Sequence, residues 1–579
     1  MIEKDTYNPK DPLRRLWGLI KLEKKNIYYI YFYAIINGLL YLSLPLGIQA
    51  IMSFMLAQQV SASLIVLIVM VILGVLANGY FYIVQMRVTE RMQVRLFSLF
   101  SLAYSDRLPK LQQEDINDYH LPETVNRFFD TASIQKGISK ILLDLPVASV
   151  QILFGLILLS FYHASFIFFG IALLLMLYLA IRITGTAGIT TSFKESDYKY
   201  KVGYWIEEIA RNMRTFKLRG NTELPLAKTN KYLEGYLLAR SKHFKILQNQ
   251  FWAFILFKSL ITASMLIVGC YLFFNNKINI GQFIATEIVI IMTLSSVEKI
   301  ITSIDGVYDL LTSLEKASRI LDNPIEKTNE ETQEQIEKLD FEITGLNFKY
   351  PNSIKNTLSN ITLTIKQGDR IAIVGTKDSG KSTFLRLLTG IYKNFEGAIN
   401  VNSKPLLSHN LSSIRSKIGV YFSDSEIFEG TLEENLLLGS LNQSAEKILG
   451  VADAIGLKEF ITKDKDGIYK LISTQGKRLP DNIKSKILLC RALLKSPLLL
   501  LLDDFRHILT KRESTMITNY LLDKSRDYTL IFRTSDEEVM KMCDKVLFMH
   551  EGAIIASGTY EEISKISVYK EISDQLDEL

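Results

Sequence analysis

Six apolar stretches of bilayer length crowd the first half of this chain, at roughly 26–56, 61–86, 141–162, 164–183, 252–275 and 281–304. A hydrocarbon core about 30 Å thick takes about 20 apolar residues in a helix. Lipid offers no partner to backbone N–H and C=O groups, so each stretch must satisfy its own by forming a helix. The expected fold class is an all-α, six-helix transmembrane domain followed by a soluble α/β domain. The boundaries read as a charged N-terminal segment at 1–25, the membrane domain at 26–322, a polar, mostly acidic linker at 323–340 and a soluble domain at 341–579. Hydrophobic residues make up 48% of the chain, and their excess lies almost wholly in the first half.

The connections set the orientation. Those around Gln58-Gln59, Tyr162-His163 and Asn275-Asn276-Lys277 are very short and carry a single Lys. Those at 87–140 and 184–250 are long and basic, as is the N-terminal segment. The positive-inside rule then places the long connections and both ends in the cytoplasm. Arg87 to Leu102 and Tyr204 to Lys217 keep apolar residues at helical spacing, so helices 2–3 and 4–5 are expected to run on beyond the bilayer. Pro45 and Pro146 are expected to kink helices 1 and 3. Lys258 and Glu287 fall inside apolar spans, where a charge is costly. They can pair across adjacent helices, face a watery cavity or snorkel. Glu298 and Lys299 lie near the cytoplasmic end of helix 6.

Composition closes other routes. A net charge of +6 is too small to argue for nucleic acid. Cys270, Cys490 and Cys543 are far apart without metal spacing and read as reduced residues. Met1 to Lys25 lacks the apolar core of a cleavable signal.

The chemistry is carried by Gly375-Thr376-Lys377-Asp378-Ser379-Gly380-Lys381-Ser382, which fits G-x-x-x-x-G-K-[ST] at every fixed position. The apolar run Arg370-Ile371-Ala372-Ile373-Val374 precedes it, and the helix-forming run Thr383-Phe384-Leu385-Arg386 follows. That strand–loop–helix context turns backbone N–H groups and a helix N-terminus toward phosphate oxygens. Lys381 is expected to reach the β- and γ-phosphates of ATP, and Ser382 to ligate Mg²⁺.

From 341 onward the sequence resembles the ATP-binding cassette (ABC) family, and the two halves together resemble a bacterial half-exporter. The resemblance rests on the phosphate loop, on the strand Leu498 to Leu502 ending in Asp503-Asp504, on Arg491-Ala492-Leu493-Leu494, and on Gly430-Thr431-Leu432-Glu433-Glu434-Asn435. It implies that Tyr350 stacks on adenine and that Asp503 joins Ser382 at Mg²⁺, with Gly375 to Thr383 holding the phosphates. It implies a multi-pass protein of the bacterial inner (plasma) membrane that pairs with a second half-transporter, identical or related, around two ATPs. It also implies short helices near Glu114 to Phe128 and near Glu223 to Leu238, or slightly upstream, that transmit closure to the membrane. The stretch Leu44 to Ile51 looks most like exporters of peptides or of proteins in type I secretion, whose systems can add a periplasmic adaptor. Beyond lipid and such partners, an amphipathic solute remains open as substrate.

The departures from the family pattern matter as much. The signature position, normally Leu-Ser-Gly-Gly-Gln, reads Leu479-Pro480-Asp481-Asn482-Ile483. Pro480 has no N–H, and Asp481 brings a carboxylate toward phosphate. The usual Glu after Asp503 is Asp504, the one candidate left for water activation. It is one methylene shorter, and a shortfall of about 1 Å can cost on the order of 10²-fold. The family His that contacts the γ-phosphate is replaced by Ser535, the Gln between metal and membrane helices by Ser423, and the last Asp of the Ser-Ala-Leu-Asp loop by Thr510. The expectation is an ATP-binding half-transporter of reduced hydrolytic competence. The alternative is a nucleotide-binding regulatory or scaffold subunit with little turnover of its own.

Overall fold

The computed structural model describes residues 10–56, 62–116, 121–326, 334–351, 353–440 and 443–566. The loop at Gln58-Gln59 and the middle of the acidic linker lie outside these. The chain forms two compact units, one of Met1–Lys110 with Tyr119–Asn323, the other of Leu111–Asp118 with Pro324–Leu579.

The regular structure of the first unit is helical among the described residues. Among the described residues, six spans are long and apolar enough to cross a membrane: Lys24–Leu56, Ala62–Lys110, Leu121–Tyr162, Ser165–Arg211, Leu224–Phe274 and Ile280–Asp322. The fifth has 51 residues, about 76 Å at 1.5 Å per residue, more than twice the hydrocarbon thickness. Spans two to five extend as the helical spacing of their basic segments implies. The sixth does so too, past the expected end at 304. A short helix, Met213–Arg219, precedes the fifth span. Residues 223–238 therefore form the base of that span rather than a separate helix, and the short helix lies upstream.

Both prolines coincide with helix irregularities. One helix ends at Tyr41 and the next begins at Ser43, where the ring of Pro45 would meet the carbonyl four residues back. Before Pro146 the turn Lys140–Asp144 widens to a π-helix, which relieves the same collision at Leu142. An amphipathic helix not read from the sequence, Lys10–Leu22, joins the sixth span through Arg15, whose Nε lies 2.9 Å from Glu315.

Lys258 pairs with Glu298, Nζ to Oε2 at 3.0 Å, and not with Glu287. The fifth and sixth spans form a hairpin about Asn275–Asn279, so residues at equal distance from the turn meet. Lys258 lies 274 − 258 = 16 residues before the turn and Glu298 lies 298 − 280 = 18 after it, but Glu287 only 287 − 280 = 7. At 1.5 Å per residue, Glu287 is offset from Lys258 by about 13 Å along the axis. It sits instead level with Gly269.

The second unit holds two principal sheets. A six-stranded sheet runs Ala553–Gly558, Lys545–His550, Arg370–Gly375, Thr529–Arg533, Leu499–Leu502, Ile418–Tyr421 in spatial order. Its last five strands are parallel and the first antiparallel. Leu499–Leu502 is buried along its whole length, as expected of a strand covered on both faces. An antiparallel sheet is built on Leu358–Ile365, Phe341–Phe348 and Phe395–Val401. Leu111–Asp118, from the connection between the second and third spans, belongs to this unit. There Glu114 Oε1 accepts hydrogen bonds from the backbone N–H groups of Lys393 and, at 2.7 Å, Asn394. The three cysteines are free.

Arg370 opens the strand that leads into the phosphate loop and is 1% exposed. Its guanidinium donates to the carbonyls of Gly368 at 3.1 Å, Asp523 at 3.2 Å and Arg526 at 2.8 Å, and to that of Tyr528. It also lies 4.7 Å over the Tyr528 ring. Arg370→Met keeps the apolar stem, takes the donor from the buried Tyr528 carbonyl, worth about 1–3 kcal/mol when left unpaired, and loses the bonds to the three more exposed carbonyls. We expect the nucleotide unit of Arg370→Met to unfold at least about 5 °C lower in differential scanning calorimetry, while Arg526→Met, which keeps all four acceptors, shifts it by less.

Candidate nucleotide-binding site

The parallel sheet ends all its strands on one edge, where ligands of open α/β sheets bind. Three neighbouring strands deliver the site. Arg370–Gly375 leads into the phosphate loop, and the helix Lys381–Leu388 leaves it. The loop is possible because of its glycines. Gly380 has φ of +90°, and a Cβ there would stand 2.7 Å from the carbonyl oxygen of Thr357. At Gly375, φ is +154° and a Cβ would collide with Met549 O at 1.9 Å. Asp378 takes the left-handed conformation at the loop tip, with φ of 62°, and with Lys377 is exposed.

Lys381 is buried and donates through Nζ to Gly375 O at 2.9 Å, to Ser379 Oγ at 3.0 Å and to Thr376 O. Burial first, and the charge of Arg533 second, pull its ammonium down to about 8. The loop borders a cleft of about 760 Å³, which Tyr350, Lys377, Ser382 and Arg533 help to line; ligand pockets commonly measure 300–1,000 Å³. Tyr350 enters this cleft with its hydroxyl 3.0 Å from Thr383 Oγ1. Its ring meets Tyr392 edge-on at 5.4 Å.

Asp503 follows Leu499–Leu502 and is 1% exposed. A buried carboxylate needs donors, and it has them on both oxygens. Oδ1 accepts from Arg533 Nη1 at 2.7 Å; Oδ2 accepts from Ser423 Oγ at 3.0 Å and from Ser382 Oγ at 3.5 Å. Burial works to raise its pKa, but the bond and charge of Arg533, with the Ser423 hydroxyl, outweigh it and hold the carboxyl below its usual range. Ser382 and Asp503, expected at Mg²⁺, are thus brought together, with a guanidinium beside both. Arg533 Nη1 is also 3.4 Å from Ser382 Oγ. Two unit charges 4 Å apart interact by about 4 kcal/mol at an effective dielectric of 20, and a divalent ion beside Arg533 would face twice that in repulsion. The donors expected of a Mg²⁺ site are already engaged by protein groups, so the residues present do not fit the ion as arranged. Sequence reading missed Arg533. Its signal was a cation closing the otherwise apolar strand Thr529-Leu530-Ile531-Phe532.

The other expected positions are dispersed. Asp504 Oδ1 accepts the backbone N–H of Arg506 at 3.0 Å, turning the chain after the strand. Ser535 is exposed on the loop after Thr529–Arg533. Thr510 caps the helix Lys511–Leu522 in a capping box with Glu513. Pro480 sits at the N-cap of the helix Asp481–Leu494 with no side-chain cap. Asp481 is turned outward to Lys484 Nζ at 3.1 Å, its side chain 78% exposed.

Comparisons with known proteins agree with this construction. The ABC transporter transmembrane region matches residues 27–297 and the ABC transporter domain matches 358–506. A putative export ATP-binding/permease protein of Rickettsia bellii is 28% identical over 63% of this chain and 65% of its own length. The subtilin transport ATP-binding protein SpaT of Bacillus subtilis is 26% identical over 54% of this chain and 52% of its own. The alpha-hemolysin translocation ATP-binding protein HlyB of Escherichia coli O157:H7 is 25% identical over 63% and 52%. The chain thus spans between about half and two thirds of the length of these relatives. A bacterial Atm1-family ABC exporter with ATP bound shares the fold, with a TM-score of 0.86 over 96% of this chain and 99% of that one at 18% identity. A six-span membrane region followed by a cassette with an intact phosphate loop places this multi-pass membrane protein in the ABC transporter family.

Proposed function

We propose that the chain is one half of an ATP-dependent exporter whose own nucleotide site binds ATP far better than it cleaves it. The observation that carries this reading is the fate of Asp503 and its neighbours. The groups that hold polyphosphate are gathered at one sheet edge: the loop Gly375 to Ser382, Lys381 and Tyr350. The groups at the positions for acting on water are altered or turned to other work. Asp504 is short and bound to Arg506 N, Ser423 is bound to Asp503, and Ser535 is exposed. Across a dimer, Pro480 and Asp481 would offer the partner's nucleotide neither a hydroxyl nor an unopposed helix N-terminus.

Two such halves, identical or related, complete the transporter in this reading. Peptides or proteins are the favoured cargo, with a periplasmic adaptor where export spans two membranes; another amphipathic solute is the remaining class. Glu114, held within the nucleotide unit by the N–H groups of Lys393 and Asn394, belongs to the connection through which ATP-driven closure reaches the second and third spans. A subunit that only stabilises a complex by holding ATP shares the same site and differs in whether a partner restores transport.

Lys381→Ala is expected to abolish photolabelling of the membrane-embedded protein by an azido-ATP analogue; undiminished labelling would show that the nucleotide lies elsewhere. For hydrolysis, phosphate release by the purified chain alone should be slow, and Asp504→Ala should change it less than about twofold. A working general base contributes about 10²–10⁴-fold, so a collapse of brisk turnover in Asp504→Ala would overturn the reading.

A further inference from the structure

The nucleotide site contains a permanent cation of its own. Arg533 is the last residue of Thr529–Arg533. In the parallel ladder it pairs with Ile373, two residues before Gly375, while Phe532 pairs with Leu502. Register alone therefore sets Arg533 beside Asp503 and behind the phosphate loop. Its Nη1 lies 2.7 Å from Asp503 Oδ1 and 3.4 Å from Ser382 Oγ, the two groups that would otherwise share a divalent ion.

A guanidinium does not lose its charge at any pH a folded protein meets, and it presents five donors in a planar fork. Nη1 is committed to Asp503. Nη2 and Nε have no partner among the described residues, and the side chain borders the cleft. That geometry suits one residue bridging a buried carboxylate and the phosphate oxygens of a nucleotide, the pairing that arginine makes best. Asp503 Oδ2 is meanwhile closed by Ser423 and Ser382. Among the described residues, no group of three or more His, Cys, Asp or Glu side chains offers an alternative metal site.

We propose that Arg533 stands in for the divalent metal: bridging Asp503, Ser382 and the terminal phosphates, it lets this site hold a nucleoside triphosphate without metal. The proposal rests on the reading of this cleft as an ATP site and specifies how its charge is met. ATP free of metal carries close to four negative charges; Lys381 and Arg533, the latter shared with Asp503, face them next to the loop's N–H groups. It also gives slow turnover a second cause, since a guanidinium compensates charge but cannot supply a metal's open coordination positions.

The test is titration of the full-length protein in lipid nanodiscs with a fluorescent ATP analogue, in excess EDTA and in excess Mg²⁺. The expected result is a Kd that agrees within about twofold between the two conditions. Arg533→Leu should weaken binding by about tenfold in EDTA, the loss of one charge-assisted contact set, and Mg²⁺ should recover most of it. Electron paramagnetic resonance with Mn²⁺ and ATP should show no protein-bound Mn²⁺ in the wild type and a bound signal in Arg533→Leu. A wild-type affinity that falls tenfold or more in EDTA, or a bound Mn²⁺ signal in the wild type, overturns the metal-free site while leaving the ATP site intact. Absence of binding in both conditions overturns the ATP reading and this inference with it. The wild-type titration decides the matter even where Arg533→Leu does not fold.

Discussion

A carboxylate removed from water must be met by donors or give up its charge, and Asp503 is the point in this chain where that demand is strongest. It stands at the end of a strand buried on both faces, between the strands Thr529–Arg533 and Ile418–Tyr421. Its donors come from three directions: Ser423 after the strand Ile418–Tyr421, Ser382 at the start of the phosphate-loop helix, and Arg533 at the end of the neighbouring strand. Each bond ties a different segment to the same oxygens. The phosphate loop is thereby held against the sheet by the groups that also set its electrostatics. Arg370 does the corresponding work at the start of the strand Arg370–Gly375, collecting carbonyls at Gly368 and from the turn Asp523 to Tyr528.

The membrane half obeys a different constraint, which is depth. A helix hairpin pairs residues that lie equally far from its turn, so ionisable side chains within it find partners by counting rather than by chemistry. Lys258 and Glu298 match in depth; Glu287 does not match Lys258 and lies beside Gly269. The same logic runs through the helix extensions beyond the bilayer. There the buried Tyr104 hydroxyl donates to Ala317 O at 2.6 Å, and the Ser192 and Thr312 hydroxyls meet at 2.8 Å. These hydroxyls are satisfied between helices, as buried polar groups in a bundle that continues into water require.

Much of this architecture was legible in the sequence because its signals are local. Twenty apolar residues dictate a span, and G-x-x-x-x-G-K-[ST] after an apolar strand dictates a phosphate loop. Pro45 and Pro146 mark irregular turns through a collision with the carbonyl four residues back. What stayed hidden depends on register between distant segments. The sequence separates Arg533 from Asp503 by 30 residues and gives no hint that they face each other; only the pairing of Phe532 with Leu502 does that. Pairing of Lys258 with Glu287, one of three readings the sequence leaves open, fails for a related reason: adjacent spans bring together only residues at matching depth from the turn. The helix Lys10–Leu22 escaped notice because it is held through Arg15 by carboxylates some 300 residues later.

Thr510 and Asp504 share one physical tendency: each stabilises this chain's own backbone. Thr510 makes a capping box with Glu513, and Glu513 in turn receives Lys486 and lies at about 2, well below the ordinary carboxyl value. Asp504 closes a turn on Arg506, while Arg506 reaches Asp536 at 2.7 Å. Asp536 itself caps the helix Glu537–Met542. The bonds of Asp504, Arg506 and Asp536 run from the end of Leu499–Leu502 to the loop after Thr529–Arg533. A catalytic loop gains from groups left unpaired and poised until substrate arrives, because their pairing then happens in the transition state. A loop whose carboxylates are already paired gains rigidity instead. Rigidity at this edge favours holding a ligand in one place, which accords with the role proposed for Arg533.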